Sequence, residues 1–266
     1  MTEKEYRSHP AISRSELWKM KESPEKFKYW KENPEENESP ALIFGRLFHA
    51  ILLTPESLDS DFAIVPNVDR RTKDGKAEYA KFLETSKEKT IVDVDMVGKA
   101  AAMAQAVQSN ELCRKLLDGE KEIPIFWKDE LTGEDCKCRL DVRKKMGEKV
   151  LIVDVKTTEN AETESFMRSA IKYGYDFQAA MYNEGERQNN GTDPIFIFIA
   201  VEKEPPYAIN ILQADELFVR RGYDQFRNLL GKYHYCKTSD NWYGYLGAEN
   251  IINNLSLPSY LAKELE

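Results

Sequence analysis

The sequence predicts an α/β fold. Three observations carry that expectation. Residues 150–158 form a strand-like run in which Leu151, Val153 and Val155 alternate with Ile152, Asp154 and Lys156. Further strand-forming segments lie at 122–127, around Asp141, at 194–201 and at 207–212. Segments with helical apolar spacing stand on both sides of this group in the chain.

In chain order, Ser13 or Ser15 can cap a helix over 16–21, and Ser23-Pro24-Glu25 places a cap and then proline at the first helical position. Residues 31–40 read as a polar linker. Leu42, Ile43, Phe44, Leu47, Phe48, Ile51 and Leu52 then mark a largely buried helix that carries Gly45, Arg46 and His49 and stops near Thr54-Pro55. A strand at 62–65, a basic loop at 67–76 and a helix through Tyr79, Phe82 and Leu83 follow. An alanine-rich helix begins at Asp95 or just after it and runs to about Gln108, with a short helix ending at Leu117. The sheet starts at 122–127, and Met146-Gly147-Glu148 is a natural hairpin turn between the strands of Asp141 and Asp154. Helices at 164–172 and 177–187 flank Tyr173-Gly174-Tyr175, and a long helix covers 214–236. The tail holds Trp242, Tyr243 and Tyr245, and its segment 255–260 is expected to pack back onto the domain. One elaborated domain is expected over 1–266, with a helical N-terminal portion to about 118 and a sheet core from about 119.

Composition narrows the class. No apolar run approaches a membrane span, and Met1-Thr2-Glu3-Lys4-Glu5 lacks the flank and apolar stretch of a signal peptide, so a cytoplasmic protein is expected. Four cysteines are too few and too irregular for a disulfide framework, and Cys136-x-Cys138 has no second pair or nearby histidines to complete a zinc site. A net charge of −8 argues against a protein that coats DNA non-specifically, but a local basic groove remains compatible with it.

The chemistry-bearing pattern is Asp141 followed by Asp154-Val155-Lys156. On a strand, Asp154 and Lys156 share one face with Ile152, and the hairpin can bring Asp141 beside them. An Asp-x-Lys tripeptide on an exposed strand is usually a weakly paired, solvated surface. Here the charges interrupt an apolar run of the kind that is buried on both faces, where unpartnered charge is costly. Two close carboxylates repel unless a divalent cation neutralises them, and hard oxygen ligands suit Mg²⁺ or Mn²⁺.

Several motifs together resemble the PD-(D/E)xK nuclease superfamily, and within it the RecE-type exodeoxyribonucleases (exonuclease VIII) of phage and prophage recombination. They are Ile12-Ser13-Arg14-Ser15-Glu16-Leu17, Ser23-Pro24, Gly45-Arg46-Leu47-Phe48-His49, Arg71-Thr72-Lys73-Asp74-Gly75-Lys76, Asp154-Val155-Lys156-Thr157-Thr158 and Gln178-Ala179-Ala180-Met181-Tyr182. The resemblance implies a restriction-endonuclease-like core, a central mixed sheet flanked by helices. It assigns Asp141 and Asp154 as metal-binding acids, the Val155 carbonyl as an additional ligand, and Lys156 as the cation near the attacking water. His49 corresponds to a histidine on the helix beside the metal; the competing reading is a buried structural histidine. Glu122 matches a position that can supply a supporting carboxylate. Gln178 and Tyr182 lie four residues apart on one helix face; the resemblance gives them the scissile phosphate, the water or a terminal base, whereas Tyr182 alone also reads as half-buried core. Ser13, Arg14 and Ser15 at a helix start, and Arg70, Arg71, Lys73 and Lys76, are candidate DNA contacts.

The resulting expectation is a Mg²⁺-dependent exonuclease, with Mn²⁺ as a substitute, acting on linear double-stranded DNA. The resemblance implies 5′-end digestion, 3′ single-stranded tails, a homo-oligomeric ring with a tetramer favoured, and a single-strand annealing protein as partner. Rival readings are an endonuclease or RecB-like nuclease of the same superfamily, or a non-catalytic DNA-binding assembly protein. The chain has no Gly-x-x-x-x-Gly-Lys-Ser/Thr loop, so it carries no ATP motor of that type.

Overall fold

The computed structural model describes residues 3–33 and 38–257. Polar caps set most of the helix starts. After α1 (Glu3–Ser8), the chain forms the short β1 (Ile12–Ser13) and α2 (Arg14–Lys19). Ser13 closes a capping box with Glu16: the Glu16 carboxylate accepts from the Ser13 N–H at 2.8 Å, and the Ser13 hydroxyl accepts from the Glu16 N–H at 3.4 Å. Ser13 is therefore the cap, and α2 begins two residues before the expected 16–21 helix. α3 (Pro24–Glu32) starts from the Ser23 cap and α4 (Pro40–Leu53) from Ser39, each with proline in the first turn. The expected linker is thus shorter at both ends.

Next come α5 (Leu58–Asp61), β2 (Phe62–Ile64), α6 (Lys73–Thr85), β3 (Thr90–Val92), α7 (Val94–Ser109) and α8 (Glu111–Leu117). The basic loop expected over 67–76 ends early. The Thr72 hydroxyl accepts from the Gly75 N–H at 3.0 Å, so Lys73 to Lys76 form the first turn of α6. Asp93 likewise caps α7, which starts one residue before Asp95.

The remaining elements are β4 (Glu120–Lys128), β5 (Asp135–Met146), β6 (Lys149–Thr158), α9 (Thr163–Tyr173), α10 (Tyr175–Asn190), β7 (Ile195–Glu202), β8 (Ile209–Gln213) and α11 (Glu216–Ser239). The main sheet is mixed, in the order β1-β5-β6-β7-β8, with β4 lying along the other edge of β5. β6 and β7 are parallel, while β4–β5, β5–β6 and β7–β8 are antiparallel. The β5–β6 hairpin closes through Gly147-Glu148 with Gly147 at φ 63°, a conformation that favours glycine.

Both faces of this sheet are covered. Ile152, Phe196 and Phe198 join Phe177, Met181 and Phe226 of α10 and α11 in one core. Leu151, Val153 and Val155 join Leu47 and Phe48 of α4 and Met103 and Val107 of α7 in the other. The alternation within 150–158 therefore feeds two cores, as expected for a strand buried on both sides. All four cysteines are buried free thiols. Trp242 stacks on Phe27 with ring centroids 5.8 Å apart, and Glu25 donates its N–H to the Tyr243 carbonyl at 3.1 Å. The packing expected of 255–260 is not seen at Leu255 and Leu257, which are exposed, and Pro258, Ser259 and Tyr260 lie outside the described residues. No helix among the described residues is long and apolar enough to cross a membrane.

Candidate active site

The candidate site occupies a fork in the sheet. β5 and β6 pair from the hairpin up to Val142↔Val153, and beyond that rung β5 diverges to meet β1 at Ile12↔Cys136 and Ser13↔Lys137. The edge of β6 beyond the rung thereby loses its strand partner, and side chains replace it. The Asp141 carboxylate accepts from the Val155 N–H at 2.8 Å, and His49 Nε2 lies 2.9 Å from the Val155 carbonyl. A carbonyl can only accept, so His49 donates from Nε2 and, in the neutral ring, presents its Nδ1 lone pair to Asp141 Oδ2 at 3.6 Å.

The β4–β5 ladder is broken at the same level. Its register passes from Lys121↔Val142 to Ile123↔Leu140 without pairing Glu122 and Asp141. Cys136, Cys138 and Leu140 face one core and Val142 the other, so side-chain alternation changes phase at Asp141. Glu122 stands at φ 52°, in the left-handed region. Such a conformation costs a non-glycine residue about 1–3 kcal/mol and is found where surrounding structure imposes it, often at functional sites. The outcome is that His49, Glu122 and Asp141, all half-buried, each offer a ligand atom, and these atoms lie within 4.8 Å of one another.

A second group abuts this cluster. Asp154 is 1% exposed, paired with Lys156, and accepts a hydrogen bond from Gln178 Nε2. Its Oδ2 contacts the lysine ammonium as an ion pair without a well-angled hydrogen bond. Burial pushes the Asp154 carboxyl up to about 6, with Lys156 pulling the other way and Asp141 adding to the rise. Burial opposes the charge on Lys156, but Asp154 and Asp141 outweigh it and hold its pKa above the ordinary lysine value. The Lys156 Nζ also lies 5.0 Å from the Tyr175 ring centroid. Burial, then the charges of Asp141 and Asp154, push the Glu122 carboxyl up to about 8; the Arg139 guanidinium lies 2.7 Å from it.

The site residues singled out in the sequence divide by location. The fork brings together His49, Glu122, Asp141, Asp154, Val155, Lys156 and Gln178. Asp154 keeps its oxygens on Lys156 and Gln178, beside the group made by His49, Glu122 and Asp141. Tyr182 is half-buried one helical turn beyond Gln178, and burial, with Asp154 and Asp141 among its charged neighbours, keeps its phenol protonated well above the usual range. Arg14 donates to the carbonyls of Tyr173 and Gly174, Ser13 is occupied in its capping box, and Ser15 is exposed. Arg70 lies over Tyr79 at 4.6 Å and Arg71 pairs with Asp69 at 3.0 Å, while Lys73 and Lys76 are exposed. Arg70 and Arg71 thus make these contacts within their own segment.

The sequence matches, over residues 13–254, the family described as a PDDEXK-like domain of unknown function (DUF3799). The chain belongs to this family. No curated protein matches it. The crystal structure of a "Putative exonuclease" from Eubacterium rectale superposes with a TM-score of 0.66 at 17% identity, covering 99% of this chain and 97% of that one, and shares its fold. The structure of SSO0001 superposes with a TM-score of 0.31 at 15% identity over 74% of this chain and 95% of that chain, too distant to inform the fold.

Two neighbours of the candidate site do not stand out in the sequence. Arg139, which holds Glu122, stands two residues before Asp141 and shares its strand parity, a signal that alternation could have supplied. Tyr175, beneath Lys156, falls in the sequence within the Tyr173-Gly174-Tyr175 helix break, and in the structure Gly174 ends α9 in the left-handed conformation one residue earlier.

Proposed function

We propose that this PDDEXK-like protein is a Mg²⁺-dependent exodeoxyribonuclease of the RecE type, with Mn²⁺ as a substitute, digesting linear double-stranded DNA from the 5′ end in the cytoplasm. It would leave 3′ single-stranded tails for an annealing partner. The observation that carries the reading is the fork itself: a strand edge whose backbone is held by Asp141 and His49, beside a buried Asp154–Lys156 pair. The exonuclease description of the Eubacterium rectale protein supports the choice of digestion from an end.

The donor set suits a hard divalent cation, because acidic oxygens and one imidazole converge where burial and mutual repulsion leave negative charge undercompensated. His49, Glu122, Asp141 and the Val155 carbonyl would hold the metal, with Asp154 completing the acidic set. When bound, the metal supplies water activation and charge neutralisation at the diester. The chain's own groups do the rest. Lys156 keeps its proton and places fixed positive charge where the phosphate gains negative charge. Gln178 holds Asp154 in orientation, and the protonated Tyr182 phenol can donate to a phosphate or terminal base.

End-labelled linear duplex and closed circular DNA, each with Mg²⁺ and with EDTA, test the reading. Stepwise loss of 5′ label from linear DNA alone is expected. Nicked circles would instead select an endonuclease, and inert DNA a binding protein. A chain with net charge −8 and few basic segments neutralises few phosphates by itself, and a tetrameric ring that turns the 70–76 segment of each copy toward one channel would remedy this, with Arg14 holding the Tyr173–Gly174 backbone. Sedimentation of monomer only, with digestion halted at once by competitor DNA, would remove the ring.

A further inference from the structure

We propose that a single strand of DNA stacks on Tyr173 and Trp18 beside the fork, held by Lys21 and Lys172; this deepens the nuclease reading by naming a path for one strand. The path starts at the catalytic lysine. Tyr175 lies under Lys156, and its ring is 6.1 Å from that of Tyr173. Between them Gly174, at φ 67°, joins α9 to α10. A Cβ there would stand 2.4 Å from the Trp18 ring, so the indole lies directly against this junction. Arg14 fixes the arrangement, donating to the carbonyls of Tyr173 and Gly174 while its guanidinium sits 5.4 Å from the Trp18 centroid.

The outer end of the path is open and basic. Tyr173 is 51% exposed and Trp18 half-buried, its ring 5.3 Å from that of Phe177, whereas Tyr175 packs against the core. Lys172 Nζ lies 5.2 Å from the Tyr173 ring and Lys21 Nζ 4.3 Å from the Trp18 ring. Neither lysine is paired with a carboxylate among the described residues. A cleft of about 360 Å³ lined by Trp18, Lys19, Lys21 and Glu22 continues the surface. Aromatic faces interleaved with free cations are what single-stranded nucleic acid requires: bases stack on the rings while phosphates meet the ammonium groups. A duplex hides its base faces, so an unpaired strand is the matching ligand.

The test uses the full chain in EDTA with fluorescein-labelled oligothymidylate, an abasic oligomer of equal length and blunt duplex. Tyr173→Ala should weaken oligothymidylate binding about tenfold, Tyr173→Phe should not, and the abasic oligomer should bind both forms alike. Lys21→Ala and Lys172→Ala should each lower the slope of log K against log salt by about 0.7. Hydrolysis of bis(p-nitrophenyl) phosphate by the parent with Mg²⁺ or Mn²⁺, which needs no base stacking, reads the metal chemistry separately. No binding of oligothymidylate by the parent, unchanged binding by Tyr173→Ala, or equal loss of oligothymidylate and abasic binding in Tyr173→Ala would each overturn the proposal. Oligothymidylate binding as expected, with no diester or DNA hydrolysis by the parent, would count against the nuclease reading and leave the strand path standing.

Discussion

Acidic side chains are buried in two regions of this molecule, and the regions treat them in opposite ways. Along α10 and α11, each is matched by cations. Glu186 of α10 is met by Arg143 at 2.6 Å; Asp129 and Glu134, in the β4–β5 connection, are met from α11 by Arg227 at 3.0 Å and Lys237 at 2.6 Å, and His234 Nδ1 lies 2.9 Å from Glu134. Burial alone would raise these carboxyls, but the cations and hydrogen bonds hold all three below the ordinary range. At the fork, burial and mutual repulsion win: Glu122 is driven upward, and so is Asp154 despite Lys156. The first region uses charge to pin helices to the sheet. The second gathers carboxyls whose ionisation burial and mutual repulsion oppose, a strain that the proposed metal would relieve.

Breaking the first region should cost stability and spare the chemistry. Arg143→Ala removes the partner of a fully buried glutamate, and losses of this kind run to about 3–5 kcal/mol. Chemical denaturation should show that loss, while cleavage per folded molecule stays near the parent value. A large fall in specific activity with unchanged stability would reverse the assignment of the two regions.

Breaking the second region should do the opposite. Lys156→Ala is expected to slow cleavage by about 10² to 10³, the usual consequence of losing a preorganised transition-state donor. Metal affinity measured by calorimetry should change little, because the ammonium is not a ligand. Asp154→Ala should be at least as slow and should also weaken metal binding. His49→Ala should impair cleavage with a smaller loss of stability, since it empties one half-buried ring position on α4. A collapse in melting temperature with full specific activity would make His49 a structural residue after all.

The contrast between the regions was only partly legible in the sequence. The alternation across 150–158, and the glycine turn that returns Asp141 toward it, are local signals, and both faces of β6 are buried as that pattern implies. The fork is not local. It exists because Ile12 and Ser13, a two-residue strand too short to show alternation, pair with Cys136 and Lys137 more than a hundred residues away and leave the end of β6 to side chains. β3 was missed for the same reason: three residues cannot display a period. The phase change at Asp141 and the positive φ at Glu122 depend on that long-range pairing as well, so Glu122 appeared in the sequence only through a resemblance.

The smallest expected effect separates the regions by pH. A carboxyl whose pKa is raised on folding binds its proton more tightly in the folded state. Its favourable contribution is present below the unfolded value and is lost as pH rises; for Asp154 the window runs from 3.8 to about 6 and for Glu122 from 4.5 to about 8. Without metal, the fork therefore destabilises the fold progressively across those intervals. The acids along α10 and α11, with lowered pKa values, act in the reverse sense and lose their contribution as pH falls. A melting temperature measured at one pH mixes the two. The difference between melting temperatures with and without Mg²⁺ cancels the helix-side acids, which do not meet the metal. That difference should be near zero at pH 5, where protons compete for the fork. At pH 7.5, with Mg²⁺ at 100 times its dissociation constant, it should reach the stabilisation of about 2.7 kcal/mol that mass action allows. For a chain of this size each kcal/mol is worth about 2–4 °C. The same difference at both pH values would mean that Mg²⁺ binds away from the fork, and its disappearance in Asp141→Asn with the fold intact would locate it there.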